Sequence, residues 1–306
     1  MKARRGIYAA AISPFGPTGS LDAAKLVDYC RYLVSEGGCD GVAPTGTTGE
    51  GNSISLVDRM ALPSAFAAAG FDSDQVIFGT GSCAVQDAVM LSRAALDAGF
   101  PNVLVLPPFY YKGVSDDGIY DGFARLIERV GRDDLRVYLY HFPQMSQTPL
   151  APAMVKRLKT SFGDVVAGLK DSSGDFSQSK AFVDATGGVA EDFDVYPSSE
   201  AMVFDGEDAG CAGIISGSTN AFAATVQAAR RASGAARVAA LDAVKARRAL
   251  AGKYPIIPMM KQMEAWRSGD PSWLEMAPPL RPLSAEQAEA LKADLDALTP
   301  VAEAAE

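Results

Sequence analysis

The stretch Val165-Val166-Ala167-Gly168-Leu169-Lys170 decides the architecture of this chain. It is apolar with no polar alternation until its last residue, so a strand built from it is covered on both faces, as in a parallel sheet clad by helices. Seven further runs share that character: Ile7–Ile12, Gly41–Ala43, Val76–Phe78, Val103–Leu106, Val137–Tyr140, Phe193–Tyr196 and Gly213–Ile215. The segments between them carry helical periodicity. Leu26, Cys30, Leu33 and Val34 follow a start signal at Ser20/Asp22, and Val89 and Leu96 stand among alanines in 84–98. Eight strand-helix units predict a (β/α)8 TIM barrel.

An open doubly wound sheet is the competing architecture. It advertises a glycine-rich first turn where phosphates dock, whereas the first turn here is Ser13-Pro14-Phe15-Gly16, and no Walker-type stretch occurs. The glycines of Gly46–Gly51 and Gly79–Gly81 follow the second and third runs and read as tight turns. Past residue 233 the strand signals stop, and helical stretches follow near 235–251, 256–267 and 284–298. In the last, Ser284-Ala-Glu-Gln287 fits a capping box, and Leu291, Leu295 and Leu298 form an apolar stripe. The expected division is a catalytic barrel over 1–233 and a three-helix C-terminal extension over 234–306. The acidic, alanine-rich last few residues read as a short tail.

Composition narrows the function. The 306 residues are 48% hydrophobic and 21% charged, the profile of a globular chain with an ample core. With 28 Lys+Arg against 37 Asp+Glu the net charge is -9, which argues against nucleic acid and anionic membranes as partners. Cys30, Cys39, Cys83 and Cys211 are widely spaced and no secretory leader is visible, so reduced thiols and a cytoplasmic location are expected. No apolar run approaches the roughly 20 residues of a membrane-spanning helix. A lone histidine, His141, does not build a multi-histidine metal site.

In a TIM barrel the chemistry sits at the carboxyl ends of the strands. Those ends carry Ser13, Thr47/Thr48, Gly79/Thr80, Pro107/Pro108, Tyr140, Lys170, Ser198 and Ser216. A lysine pointing into the mouth loses hydration, which favours its neutral amine, a nucleophile for carbonyl carbon. Tyr140 and the Thr47-Thr48 pair offer hydroxyls at the same rim to relay a proton. His141 alternates with Tyr140 and is expected to face the helices as a packing residue. Met259-Met260 and Trp266/Trp273 read as core or subunit packing.

Five motifs in order carry a family resemblance: Gly46-Thr47-Thr48-Gly49-Glu50, Tyr110-Tyr111, Tyr140-x-x-Pro143, Gly168-Leu169-Lys170-Asp171 and Gly213-Ile214-Ile215-Ser216. Together they resemble the dihydrodipicolinate synthase/N-acetylneuraminate lyase family of class I, pyruvate-dependent aldolases. The resemblance implies a barrel with C-terminal helices, a homotetramer built as a dimer of dimers, and a Schiff base between Lys170 and pyruvate or a 2-oxo acid with no other cofactor. It makes Tyr140 the general acid/base, with Thr48 linking it to a Tyr111 from the adjacent subunit. Backbone donors of Thr47 and Thr48 then receive the substrate carboxylate, and Ile215 packs on the pyruvyl group.

The synthases carry an arginine two residues after the strand-five proline, where this chain has Met145, so a bidentate carboxylate clamp is lost. The seventh strand ends Tyr196-Pro197-Ser198-Ser199-Glu200, where synthases tend to a glycine-acidic sequence. Met145 and Ser198, with Lys112 and Gln144, mark the variable end of the substrate site. The expected activity is a lyase or dehydratase acting on a 2-oxo-3-deoxy sugar acid or a 4-hydroxy-2-oxo acid. The alternatives are 4-hydroxy-tetrahydrodipicolinate synthase in lysine biosynthesis and, more remotely, a non-catalytic pyruvate-binding protein.

Overall fold

The computed structural model describes residues 5–298. Among them are eight strands: β1 (Gly6–Ala9), β2 (Gly41–Val42), β3 (Phe78–Gly79), β4 (Asn102–Val105), β5 (Arg136–His141), β6 (Val166–Asp171), β7 (Asp194–Pro197) and β8 (Gly213–Ser216). Every pairing between them is parallel, in the orders β2-β1-β8 and β3-β4-β5-β6-β7. Two seams join these sheets into a ring. At one, Val42 bridges Val76 and Ile77 N–H donates to Val42 O at 3.0 Å. At the other, Ala212 N–H donates to Val195 O at 2.9 Å. The result is the expected (β/α)8 barrel.

Two apolar layers follow from strand alternation. Tyr8, Ile77, Leu104, Tyr138, Tyr140, Tyr196 and Ile215 fill the barrel interior, while Val103, Val137, Leu139, Leu169, Val195 and Ile214 pack outward against the helices. Four tyrosines inside one barrel need space, and glycine provides it on neighbouring strands. A Cβ on Gly41 would strike the Tyr8 ring, and one on Gly168 would lie 2.8 Å from the Tyr138 ring and collide with Asp194 O.

Strand β6 contains the irregularity that sets which way Lys170 faces. Val137 pairs with Val166 but Tyr138 pairs with Gly168, so β6 carries one extra residue, a bulge at Ala167-Gly168. Strict alternation from inward-facing Ala167 would turn Leu169 inward and Lys170 outward. The bulge reverses the phase: Leu169 joins the outer layer, and Lys170 faces the interior between Tyr140 and Tyr196, its register partners on β5 and β7.

Helices follow each strand, including Ala23–Ser35, capped by Asp22, and Val85–Asp97. After the barrel come Gly234–Ala251, Ile256–Ser268 and Ala285–Asp296. The capping box at Ser284/Gln287 forms in both directions, and Leu291 is buried. All eight strands differ from the expected runs by a residue or more at one end or both, and two of these shifts have a visible cause. The first strand stops at Ala9 because Ile12 N–H turns to Asn220 Oδ1 at 3.2 Å instead of a ladder partner. The third begins later than Val76, which makes only the isolated bridge. The acidic last residues lie outside the described part of the chain. No helix among the described residues is long and apolar enough to cross a membrane.

Candidate active site

The mouth of the barrel gathers the expected residues around Lys170. Its side chain is buried, with 2% of the residue exposed, and its nitrogen lies 4.4 Å from the centre of the Tyr140 ring. Asp171, next along the strand, faces the other way and accepts from Ser179 Oγ at 2.6 Å and Ser173 N–H at 2.9 Å. The amine therefore shares its surroundings with an aromatic face and the barrel interior. Ile215 belongs to that same interior cluster.

Tyr140 donates from its hydroxyl to Thr47 Oγ1 at 3.3 Å. The expected neighbour of Tyr140 was Thr48, and here the geometry corrects the reading. Thr48 turns its hydroxyl toward Gly217, so closely that a Cβ there would lie 3.0 Å from Thr48 Oγ1. Thr47 and Thr48 lie on a turn closed by Glu50 N–H to Thr47 O and Gly51 N–H to Gly46 O, each at 3.0 Å. No hydrogen bond among the described residues takes the N–H of Thr47 or Thr48. These free donors suit an anionic group. Beside them opens a narrow cleft walled by Thr47, Tyr140, Leu104, Leu106 and Asn52.

The remaining expected residues divide. Met145 is 61% exposed on the short helix Pro143–Ser146 at the rim. Ser198 is half-buried just past β7. Lys112 donates to Ser146 O at 2.8 Å and to Phe109 O, and Gln144 donates to Ser173 O at 2.6 Å, so both tie loops together at the mouth. Tyr111 is 73% exposed and packs edge-on against Tyr110, which is equally exposed, with ring centres 5.3 Å apart. Within one chain neither reaches Tyr140, and the structure gives Tyr110 the same standing as Tyr111.

His141 faces the helices as expected. Its Nδ1 accepts from Leu150 N–H at 3.0 Å and its ring meets Phe182 edge-on; burial lowers its pKa against the opposing pull of Asp171. A larger open groove of about 780 Å³ runs past His141, Gln144 and Gln178 on this outer side. It is the bigger space, but Tyr140 and Thr47 wall the smaller one, and Lys170 lies buried against the Tyr140 ring. Met259, Met260 and Trp273 are buried packing residues, and Trp266 is partly exposed.

A parallel barrel with a buried lysine at its carboxyl end, flanked by a hydrogen-bonded tyrosine, has the architecture of a TIM-barrel enzyme, with polar groups gathered at the mouth. The family model for the dihydrodipicolinate synthetase family matches residues 3–298, and the chain belongs to that family, whose members are lyases of the class I aldolase type. An uncharacterised DapA-like lyase of Chloroflexus aurantiacus is 36% identical over 293 residues, covering 94% of this chain and 95% of that protein. The 4-hydroxy-tetrahydrodipicolinate synthase of Bacillus subtilis is 31% identical over 210 residues, 69% of each chain. The crystal structure of dihydrodipicolinate synthase from Agrobacterium tumefaciens superposes with a TM-score of 0.85 at 31% identity, covering 97% of this chain and 100% of that one.

Proposed function

We propose that the protein is a pyruvate-dependent lyase that holds its 2-oxo acid as an imine on Lys170. The single observation that carries this reading is the placement of Lys170: a buried amine over the face of Tyr140, whose hydroxyl is itself held by Thr47. The amine attacks the ketone carbon and water leaves. The resulting iminium withdraws electrons, so the adjacent C–C bond breaks or forms through an enamine, with Tyr140 moving the proton and no further cofactor needed. The free N–H groups of Thr47 and Thr48 receive the carboxylate.

Among substrates, the exposed Met145 favours a 2-oxo-3-deoxy sugar acid or a 4-hydroxy-2-oxo acid, because no guanidinium stands there to clamp a second carboxylate. The naming of the relatives favours a second reading, condensation of pyruvate with aspartate semialdehyde. In either case the reading includes a cytoplasmic homotetramer to which each chain contributes its exposed Tyr110-Tyr111 pair.

Incubation with pyruvate and borohydride tests the chemistry: the expected result is a stable pyruvyl adduct on the peptide holding Lys170, absent from Lys170→Met. No adduct in the wild type sinks the proposal. Turnover of pyruvate with aspartate semialdehyde, set against cleavage of hydroxylated 2-oxo acids, then separates the two substrate readings.

A further inference from the structure

The turn that carries Thr47 and Thr48 is an unusual piece of backbone. Two residues that are not glycine, Thr45 (φ 56°) and Glu50 (φ 52°), stand in the left-handed region at its two ends, and such conformations persist only when their surroundings over-determine them. The surroundings do so for Glu50. Its carboxylate is fully buried, with Oε1 2.5 Å from Lys261 Nζ and Oε2 accepting from Ala277 N–H at 3.0 Å. Lys261 is buried as well, donates to Glu275 O at 2.7 Å, and lies 4.6 Å from the centre of the Phe15 ring. Around this pair Phe15 and Ile54 of the barrel loops pack on Ala277.

We propose that Glu50 is a positioning residue: its ion pair with Lys261 fixes the Thr45–Glu50 turn, and with it the place of Thr47 Oγ1 beside Tyr140, so that the C-terminal helices are a working part of the site. The step deepens the Schiff-base reading and rests on it. Strand β6 carries the nucleophile and is built independently of this pair, whereas the proton relay is not. Loss of the pair therefore separates two steps that a general loss of folding would lower together.

Two readouts with pyruvate alone divide those steps. Borohydride trapping reports imine formation at Lys170, and exchange of the pyruvate methyl protons with D2O, followed by proton NMR, reports enamine formation through Tyr140. Glu50→Gln and Lys261→Met are expected to slow exchange at least tenfold while trapping stays within twofold of wild type. Either single change leaves a buried polar group without its partner, so the paired variant Glu50→Gln/Lys261→Met, which removes both charges at similar volume, keeps the fold testable. Its thermal midpoint is expected to recover toward wild type while its exchange stays slow.

Exchange restored to the wild-type rate in the paired variant overturns the proposal, as does trapping that falls in step with exchange in every variant. A wild-type protein that neither traps nor exchanges pyruvate removes the Schiff-base reading and this inference with it, an outcome distinct from the variant-specific ones.

Discussion

Replacing Thr47 and Thr48 separately by valine is the sharpest test of the site geometry, since the two residues are adjacent, share one turn and differ in where their hydroxyls point. Thr47→Val removes the acceptor of the Tyr140 hydroxyl, a 3.3 Å hydrogen bond between the almost wholly buried Tyr140 and the half-buried Thr47. Leaving that hydroxyl unpartnered costs about 1–3 kcal/mol of stability. The effect on proton transfer is larger in rate: a positioned acid/base is worth about 10²–10⁴-fold, so a loss near the lower end, about 100-fold or roughly 2.7 kcal/mol, is expected in methyl-proton exchange of pyruvate. Thr48→Val keeps the side-chain shape and the backbone N–H. Its expected effect is below about 0.5 kcal/mol in a urea titration and within about threefold in exchange. Both variants should trap pyruvate on Lys170. A Thr48→Val protein slower in exchange than Thr47→Val would refute the assignment of the relay.

Two further outcomes probe the scaffold. Gly168→Ala forces a Cβ against Asp194 O and the Tyr138 ring and should lower stability by about 1–3 kcal/mol by denaturant unfolding; an unchanged midpoint means the barrel interior has slack that the tyrosine packing denies. Burial holds the folded-state pKa of His141 below its usual 6.5, so the unfolded chain binds that proton more tightly. Its contribution to stability is whole above about pH 6.5 and is lost as pH falls through the lower folded-state value, by at most about 1.4 kcal/mol per pH unit. Stability of the wild type should therefore decline more steeply than that of His141→Asn between pH 7 and 5, and equal slopes would count against the buried neutral imidazole.

Much of this architecture is legible before any coordinates. The eight apolar runs become the eight strands because a parallel barrel buries both faces of each, and that requirement is written into consecutive side chains. The Ser284/Gln287 box is equally plain, since both partners sit within one turn of helix. What the sequence hides is non-local. Thr47 and Thr48 have the same chemistry, and only the packing of Thr48 against Gly217, far along the chain, decides which hydroxyl is left for Tyr140. Glu50 belongs to a visible motif, yet its partner Lys261 lies on a helix that looks like ordinary packing. Tyr110 and Tyr111 are neighbours of one type, and their exposure alone gives no preference between them.

The bulge at Ala167-Gly168 ties the side of the sheet on which Lys170 stands to a parity. Counting inward-facing places along β6, an even step from Ala167 would bring Leu169 to the pocket, and only the odd step created by the extra residue brings the amine. Pairing β6 without the bulge, with every residue kept, would exchange the two sides of the sheet beyond Ala167, so that Asp171 looked into the barrel and the lysine into the helical shell. Loss of one residue at Ala167-Gly168 would instead leave Leu169 opposite Leu139 and Lys170 opposite Tyr140, so the side on which the lysine stands is set by how β6 pairs and not by the length of the chain that leads to it.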